Sequence, residues 1–306
     1  MADAYIQVEH LRKTYGNLAA VDDISFTIDK GEVFGLLGPN GAGKTTTLEI
    51  MEGLRTADSG CVCVSGLDLA HDLGRLKQII GVQLQATSLY DRIKVAEVLA
   101  LFGSYYEKSI GVEDLLRLVS LEEKRRAYVK NLSGGQLQRL AVALAIVNDP
   151  ELVFLDEPTT GLDPQARQNL WAIIENMKTE GRTVILTTHY MEEAERLADR
   201  VAIIDHGKII AMDTPPALIR LLDTGGKIAC TVSGPLPLEQ LNQVPEITKI
   251  ESTDGHLSLQ VTDTKLAVTA LLALAGEHAV GLEDLHVSRP NLEDVFLHLT
   301  GRRLRE

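Results

Sequence analysis

Residues 38–46 of the chain read GPNGAGKTT. This stretch follows a continuous apolar run that ends at Leu37 and precedes TTTLEIMEGL, a segment with the pattern of a helix. A loop of the form G-x-x-x-x-G-K-[ST] between a buried strand and a helix directs backbone N–H groups at phosphate oxygens. We therefore predict a phosphate-binding loop at this position.

Each part of this loop has an expected task. The glycines allow the backbone to approach the phosphates, Lys44 neutralises the β and γ groups, and the Thr45 hydroxyl is offered to magnesium. The loop residues expected to contact the nucleotide are Gly38, Asn40, Gly41, Ala42, Gly43, Lys44, Thr45 and Thr46.

Two adjacent acids follow an apolar run in LVFLDEP, residues 152–158. Open α/β sheets bind ligands at the carboxyl ends of their strands. We expect Asp156 to hold magnesium, directly or through water, and Glu157 to polarise an attacking water. The alternative is a solvated pair of acids at a strand exit. Together with the phosphate loop, the pair predicts a nucleoside triphosphatase.

The pattern of apolar residues predicts an α/β domain over residues 1–222. Continuous apolar runs at 33–37, 152–155, 184–186 and 201–204 are typical of buried parallel strands. Antiparallel strands are expected on the N-terminal side, and IIDHGKII, residues 203–210, predicts a hairpin. Between about residues 86 and 150 the strand signals give way to helical patterns such as VAEVLALFGSYY and VEDLLRLVSL. We predict a mixed sheet that carries a helical subdomain.

The pattern changes after DTPPALIRLLDTGG, residues 213–226. KIACTVSG, EITKIEST, HLSLQVTD and VGLEDLHVS read as strands, whereas LPLEQLNQV and KLAVTALLALAG read as helices. The resulting order, βαββαβ, is that of a ferredoxin-like fold. We predict a small α+β accessory domain over residues 226–306, with a last helix that begins at Asn291.

Composition limits the class of protein. The chain has 306 residues, a formal net charge of −13 and three cysteines. This charge disfavours a nucleic-acid binder, which normally presents a basic face. The longest apolar run, residues 140–147, is much shorter than the roughly 20 residues that cross a bilayer, and the N-terminus shows no signal-peptide pattern. We expect a soluble, cytosolic chain.

LSGGQLQR, residues 132–139, places two glycines at the start of a strongly amphipathic helix. Because glycine weakens a helix by about 1 kcal/mol relative to alanine, the pair suggests that something approaches the backbone there. Ser133 at the N-cap and exposed N–H groups at Gly134 and Gly135 would form a second anion site. The alternative is an ordinary capped helix.

In order, these motifs resemble the nucleotide-binding subunit of ATP-binding cassette (ABC) transporters over roughly residues 4–220. In that family the segment like LSGGQLQR caps the γ-phosphate bound by a second, head-to-tail subunit. The resemblance implies a homodimer that encloses two ATP molecules with Mg²⁺. It implies nucleotide contacts from the partner copy at Ser133, Gly134, Gly135 and Gln136.

Further positions match the family pattern. Tyr15 resembles the aromatic residue that stacks on adenine, and Asp163, in TTGLDP, resembles the acid of the loop that communicates across the dimer. His189 resembles the switch histidine near the γ-phosphate and the catalytic glutamate. Gln85 resembles the glutamine that senses magnesium and water, with Gln83 as an alternative register. The resemblance therefore implies catalytic roles for Glu157, His189, Lys44 and Gln85, and metal contacts from Thr45, Gln85 and Asp156.

The C-terminal part, through RPNLEDVFLHLTGRRLRE, is similar to the extension of bacterial drug-resistance-type exporter ATPases of the ABC-2 group. This resemblance implies an ATPase that drives a separate ABC-2 permease and lies on the inner face of the membrane through that permease. Two alternatives stay open from the sequence: a soluble cassette ATPase that acts on the ribosome or DNA, and a regulatory ATPase that senses a ligand.

Overall fold

The computed structural model describes residues 4–84, 89–222, 225–253 and 255–301. The chain divides into two compact units between Pro215 and Pro216. The sequence prediction placed the end of the first domain later, at residue 222. In the structure the two prolines lie in the first turn of a short helix, a position that tolerates proline because N–H groups there have no partner within the helix.

The first unit consists of alternating strands and helices, and the predicted parallel strands are present at the expected positions. In chain order its elements are β1 (Ile6–Tyr15), β2 (Leu18–Ile28), β3 (Val33–Leu37), α1 (Lys44–Met51), β4 (Ser59–Val64), β5 (Leu67–Asp68), α2 (Leu73–Ile79), β6 (Ile80–Gln83), α3 (Val95–Gly103), α4 (Val112–Leu118), α5 (Gly134–Ala145), β7 (Leu152–Asp156), α6 (Pro164–Thr179), β8 (Thr183–Thr188), α7 (Met191–Leu197), β9 (Arg200–Asp205) and β10 (Lys208–Asp213).

A six-stranded sheet of order β10-β9-β3-β8-β7-β6 organises this unit. Its strands run parallel from β9 to β6, and β10 closes one edge as the antiparallel arm of the predicted hairpin. Every residue of β3, β7 and β8 is buried, as their continuous apolar character predicts. The carboxyl ends of these three strands therefore meet at one edge of the sheet.

Each face of the sheet belongs to a different hydrophobic cluster. Along β7, Val153 and Leu155 pack into a cluster with α3, α5 and α6, whereas Phe154 packs into a cluster with α1 and the N-terminal strands. Those strands form a separate antiparallel sheet of order β2-β1-β4-β5. Phe26 and Phe34 stack with ring centroids 5.4 Å apart across the second cluster.

The region between β6 and β7 contains helices and no strand among its described residues, as predicted. α3 and α4 are shorter than the apolar patterns at 95–106 and 112–121 indicated. α5 differs in another way. Only one buried face was expected, but Val142 and Ala143 are buried as well, because α5 packs against strands β6 and β7 and also against α3, α4 and α6.

The second unit contains a four-stranded antiparallel sheet of order β12-β13-β11-β14. After α8 (Pro215–Arg220) its elements are β11 (Gly226–Ser233), α9 (Leu238–Leu241), β12 (Ile247–Thr253), β13 (His256–Val261), α10 (Thr264–Glu277), β14 (Gly281–Ser288) and α11 (Leu292–Thr300).

Two helices of this unit show how local sequence sets helix length. α9 is a single turn, although a longer helix was expected; beyond Leu241 the chain continues in turns with i→i+3 hydrogen bonds up to Val244, and Pro245 disfavours a helical extension past that residue. Asn291 caps α11, and its side chain accepts a hydrogen bond from the Asp294 N–H, as its position after a proline predicted. In neither unit does a helix of the described ranges have the length and apolar character needed to cross a membrane.

Candidate nucleotide-binding and catalytic site

The phosphate loop connects β3 to α1. At Gly43, which precedes α1, φ is 108°, and a Cβ atom there would lie 2.1 Å from the carbonyl oxygen of Ala20. Only glycine fits both the left-handed backbone and this approach to β2. Asn40 and Gly41 are exposed at the tip of the loop, whereas Ala42 is buried. The loop therefore presents its backbone to solvent from a fixed base.

Lys44 begins α1 and is almost completely buried, with an exposed fraction of 4%. Its ammonium group donates hydrogen bonds to the carbonyl oxygens of Gly38, at 2.8 Å, and Pro39, at 3.1 Å. Burial lowers the pKa of Lys44, and the carboxylates of Glu157 and Asp156 oppose that shift. A buried cation beside a phosphate-type loop is suited to neutralise a bound polyphosphate.

Asp156 ends β7 and faces the start of α1. Its Oδ1 atom accepts a hydrogen bond from the Thr187 hydroxyl and lies 3.4 Å from Oγ1 of Thr45, which also donates to it. Burial raises the pKa of Asp156, and these hydroxyl groups oppose the shift. The Asp156 carboxylate and the Thr45 hydroxyl are hard oxygen donors of the kind that Mg²⁺ prefers, so they suit a magnesium ion.

Glu157 lies between the phosphate loop and the end of β8. Its Oε1 atom is 3.8 Å from Nζ of Lys44, and its Oε2 atom is 3.3 Å from Nδ1 of His189. The Thr160 hydroxyl donates to Oε2 at 3.1 Å. Glu157 has a φ of 46°, an uncommon value for a residue other than glycine. Such backbone conformations concentrate at functional sites, where surrounding contacts hold them.

The structure thus joins four predicted site residues, Lys44, Asp156, Glu157 and His189. Asp156 and Glu157 lie at the end of β7, His189 follows β8, and Lys44 follows β3 through the phosphate loop. All four meet at one edge of the sheet. This arrangement places a cation, a carboxylate of the kind that binds metals, and a second carboxylate next to an imidazole within one small region; His189 Nδ1 makes no hydrogen bond with the described residues.

The start of α5 stays outside this group. Ser133 is its N-cap: its hydroxyl accepts a hydrogen bond from the Gln136 N–H at 3.3 Å, and its own N–H donates to the Gln136 side-chain oxygen at 3.1 Å. Gly135 is small because a Cβ atom there would lie 2.9 Å from Cβ of Ala166, a contact within the same chain. Gly134 has open space around it, so internal packing explains only one of the two glycines.

Asp163 and Tyr15 lie at two other points of the first unit. Asp163 caps α6, where its Oδ1 atom accepts a hydrogen bond from the Ala166 N–H at 2.9 Å. Tyr15 ends β1 with 42% of its surface exposed, and the guanidinium carbon of Arg55 lies 5.4 Å from its ring centroid. An exposed aromatic ring of this kind is available to a flat ligand such as a base.

The two candidate glutamines differ in what the structure describes. Gln85 lies outside the described residues. Gln83 ends β6, is 2% exposed, and donates from Nε2 to the carbonyl oxygen of Leu84 at 2.7 Å. Its Oε1 atom is buried without a hydrogen-bond partner among the described residues.

Sequence reasoning missed Thr187. Its hydroxyl donates to Asp156 and accepts from the Glu157 N–H at 2.9 Å, so it orients both acids. The available signal was the pair of threonines at the end of the apolar strand TVILTT, since parallel register places Thr187 beside Asp156.

Comparison with known proteins is consistent with this geometry. Residues 21–160 match the family model of ABC transporters. The chain is 40% identical over 308 residues to the Nod factor export ATP-binding protein I of Ralstonia nicotianae, covering 98% of this chain and 95% of that protein. It is 38% identical over 311 residues to a linearmycin resistance ATP-binding protein of Bacillus subtilis, covering 98% and 100%.

Solved structures agree with the sequence relatives. An ATP-binding subunit of an ABC transporter superimposes with a TM-score of 0.64 and 29% identity over 71% of this chain and 93% of that one. The dimeric structure of MJ0796, a bacterial ABC transporter cassette, gives 0.62 and 27% over 68% and 98%. With this site and these relatives, the chain belongs to the ABC transporter family, as one of its ATP-hydrolysing subunits.

Proposed function

We propose that this chain is the motor of an exporter, which binds two ATP molecules between two copies of itself and drives a separate permease. The observation that carries the proposal is the convergence of Lys44, Asp156 and Glu157 at the carboxyl edge of the sheet, with His189 at 3.3 Å from Glu157. This set supplies the charges that phosphoryl transfer to water requires.

Magnesium is part of the proposal because the residues present suit it. Thr45 and Asp156 would hold the ion, with the nucleotide phosphates as further oxygen ligands. When bound, it would neutralise charge on the phosphoryl oxygens. A neighbouring divalent cation would also favour the ionised form of Asp156, against the effect of burial on its pKa.

Glu157 is proposed to orient and polarise the attacking water. The Thr160 hydroxyl donates to its carboxylate, and Lys44 Nζ and His189 Nδ1 lie 3.8 and 3.3 Å from the two carboxylate oxygens, so these neighbours limit its orientation before a water arrives. Lys44 would meanwhile neutralise charge that spreads over the γ-phosphoryl oxygens. His189, at the end of β8, would contact the γ-phosphate and keep Glu157 in place.

The second half of each site is proposed to come from the partner copy. Ser133 and Gly134 are at an exposed helix start; the described side-chain hydrogen bonds of Ser133 are those of its own capping box with Gln136, and nothing lies within 4 Å of a Cβ built at Gly134. Open space at Gly134 and the positive end of α5 suit an approaching phosphate group. The dimeric structure of a related cassette supports this arrangement.

The export direction and the permease rest on the relatives. The proteins named for Nod factor export and linearmycin resistance span nearly the whole chain, including the second unit. We propose an ABC-2-type permease as partner and a position on the cytoplasmic face of the membrane through that partner. Neither relative favours the ribosome, DNA or ligand-sensing alternatives.

The second unit is proposed to be a ferredoxin-like accessory domain. Its element order and its sheet order, β12-β13-β11-β14 with antiparallel neighbours, support this assignment.

The test of the proposed function is Glu157→Gln. This change keeps the shape of the side chain and removes its basicity, so we expect ATP binding to persist while turnover falls at least about 100-fold. Light scattering should then show a nucleotide-bound dimer that accumulates with ATP. Hydrolysis at the wild-type rate would contradict the role of Glu157.

A further inference from the structure

The ring of Tyr190 contacts the imidazole of His189. The two ring centroids lie 4.2 Å apart, with an angle of 39° between the ring planes. The Tyr190 N–H donates to the Thr188 hydroxyl at 2.9 Å, which fixes the backbone after β8. The Tyr190 ring therefore packs on the His189 imidazole and restricts its rotation.

A cation lies over that ring. The guanidinium carbon of Arg167, on α6, is 4.5 Å from the Tyr190 ring centroid, well within the range of a cation–π interaction. Arg167 is half-buried, and its Nε atom is buried without a hydrogen-bond partner among the described residues. The guanidinium is thus held here by the aromatic face more than by hydrogen bonds from Nε.

A buried acid interacts electrostatically with this cation. Glu193, on α7, is fully buried and accepts a hydrogen bond from Nε1 of Trp171 at 3.0 Å. Burial raises the pKa of Glu193, and the charge of Arg167 is one of the groups that oppose the shift.

Arg167 also belongs to the first turn of α6. Its N–H donates to the carbonyl oxygen of Asp163, the N-cap of that helix, at 3.0 Å. A displacement of the start of α6 would therefore move the guanidinium directly. Contacts run without a break from Asp163 through Arg167, Tyr190 and His189 to Glu157.

We propose that Arg167 is a positioning residue for ATP hydrolysis, which holds the His189 imidazole against Glu157 by packing on the ring of Tyr190. The inference rests on the proposed role of His189 in catalysis. Arg167 itself touches no reacting atom in this account. Its task is to set the orientation of an imidazole that does.

The test is Arg167→Met, which keeps the side-chain stem and removes the charge. In the full-length protein we expect kcat for ATP to fall about 10-fold with KM within about twofold, and Arg167→Lys to restore most of the loss. Tyr190→Leu should reproduce the effect, whereas Tyr190→Phe, which keeps the ring, should not. In NMR spectra the His189 imidazole signals should shift in the Arg167→Met protein. Wild-type kcat in Arg167→Met would overturn the proposal.

A matched control is Arg196→Met. The guanidinium carbon of Arg196 lies 4.9 Å from the ring centroid of Trp171. Arg196 thus makes the same kind of contact as Arg167, but with a ring other than that of Tyr190. We expect its kcat to equal that of the wild type. An equal loss in both variants would show a general effect of α6 and α7 packing and overturn the proposal.

The His189→Ala background distinguishes the proposed role of Arg167 from the proposed role of His189. In single-turnover experiments on that variant, Arg167→Met should cause no additional loss. A loss that persists undiminished in this background would assign Arg167 a structural role and overturn the proposal. Full activity of His189→Ala alone would instead contradict the proposed role of His189 itself.

Discussion

The carboxyl edge of the six-stranded sheet, here called the buried half of the site, and the start of α5, here called the exposed half, differ in how their residues are held. At the edge, Lys44, Asp156 and Glu157 are largely buried, and each contacts another of the set or its supports. At the start of α5, Ser133 and Gly134 lie at an exposed helix end. Buried charges destabilise a fold unless they are paired, whereas an exposed cap is stabilising. The proposed two-copy site accounts for this difference: one half is completed within the chain, and the other would contact a nucleotide bound by the partner copy.

The largest expected effect tests the buried half. Asp156→Asn removes the charge that would hold magnesium while keeping the shape of the side chain, so hydrolysis should fall at least about 100-fold. Titration with Mg²⁺ at fixed ATP should show a higher half-saturating concentration. Unchanged Mg²⁺ dependence would show that the metal is held elsewhere.

A second prediction concerns how a buried acid near this half, Glu52, changes the free energy of unfolding with pH. Burial, with the charges of Asp156 and Glu49, raises the pKa of Glu52 to about 8. Because the folded state then binds a proton that the unfolded state releases near pH 4.5, stability falls as the pH rises between these values. In magnesium- and nucleotide-free protein, Glu52 should therefore remove about 2 kcal/mol between pH 6 and pH 8.

Glu52→Gln is the variant that tests this cost. The substituted amide side chain has no proton to lose, so denaturant unfolding of the variant should lack this part of the pH dependence. The variant should gain stability over the wild type as the pH rises toward 8. Parallel stability curves for the two proteins would contradict the raised pKa.

A third prediction separates the two glycines of the exposed half. Gly135→Ala places a Cβ atom 2.9 Å from Ala166, so the unfolding temperature should fall. Gly134→Ala has open space and should leave that temperature unchanged or raise it. If a nucleotide bound by the partner copy approaches Gly134, the Gly134→Ala protein should nevertheless hydrolyse ATP about 10-fold more slowly than the wild type. Full activity in Gly134→Ala would mean that nothing approaches there.

The smallest effect concerns stacking on the adenine base of ATP. Tyr15→Ala removes an exposed ring, so ATP binding should weaken about fivefold. Binding of inorganic tripolyphosphate, which lacks a base, should stay the same. An equal loss for both ligands would place Tyr15 in the structure of the loop and not in base stacking.

Local patterns predicted the parts of the site that depend on a few consecutive residues. The phosphate loop, the acids after β7 and the cap of α5 follow from residue order along one strand or one helix. Contacts between distant segments were out of reach, because Thr187 reaches both acids through sheet register and Gly135 meets Ala166 through helix packing. The Arg167–Tyr190 contact is of the same kind.

Helix lengths were predicted less well than helix positions. α9 is shorter than expected because i→i+3 turns replace the helix after Leu241, a difference that apolar periodicity does not show. The second buried face of α5 had a tertiary cause, since neighbouring helices and strands cover it on both sides. Periodicity indicates which residues are apolar, but it does not show how many neighbours surround a helix.

The most direct test of the two-copy site is a mixing experiment. Lys44→Ala removes the buried half and Ser133→Arg blocks the exposed half, so each variant alone should hydrolyse ATP at least about 100-fold more slowly than the wild type. A mixed dimer contains one pocket with neither change. We predict that combining the two inactive proteins restores measurable ATP hydrolysis. A mixture that stays as inactive as its components would contradict the composite site.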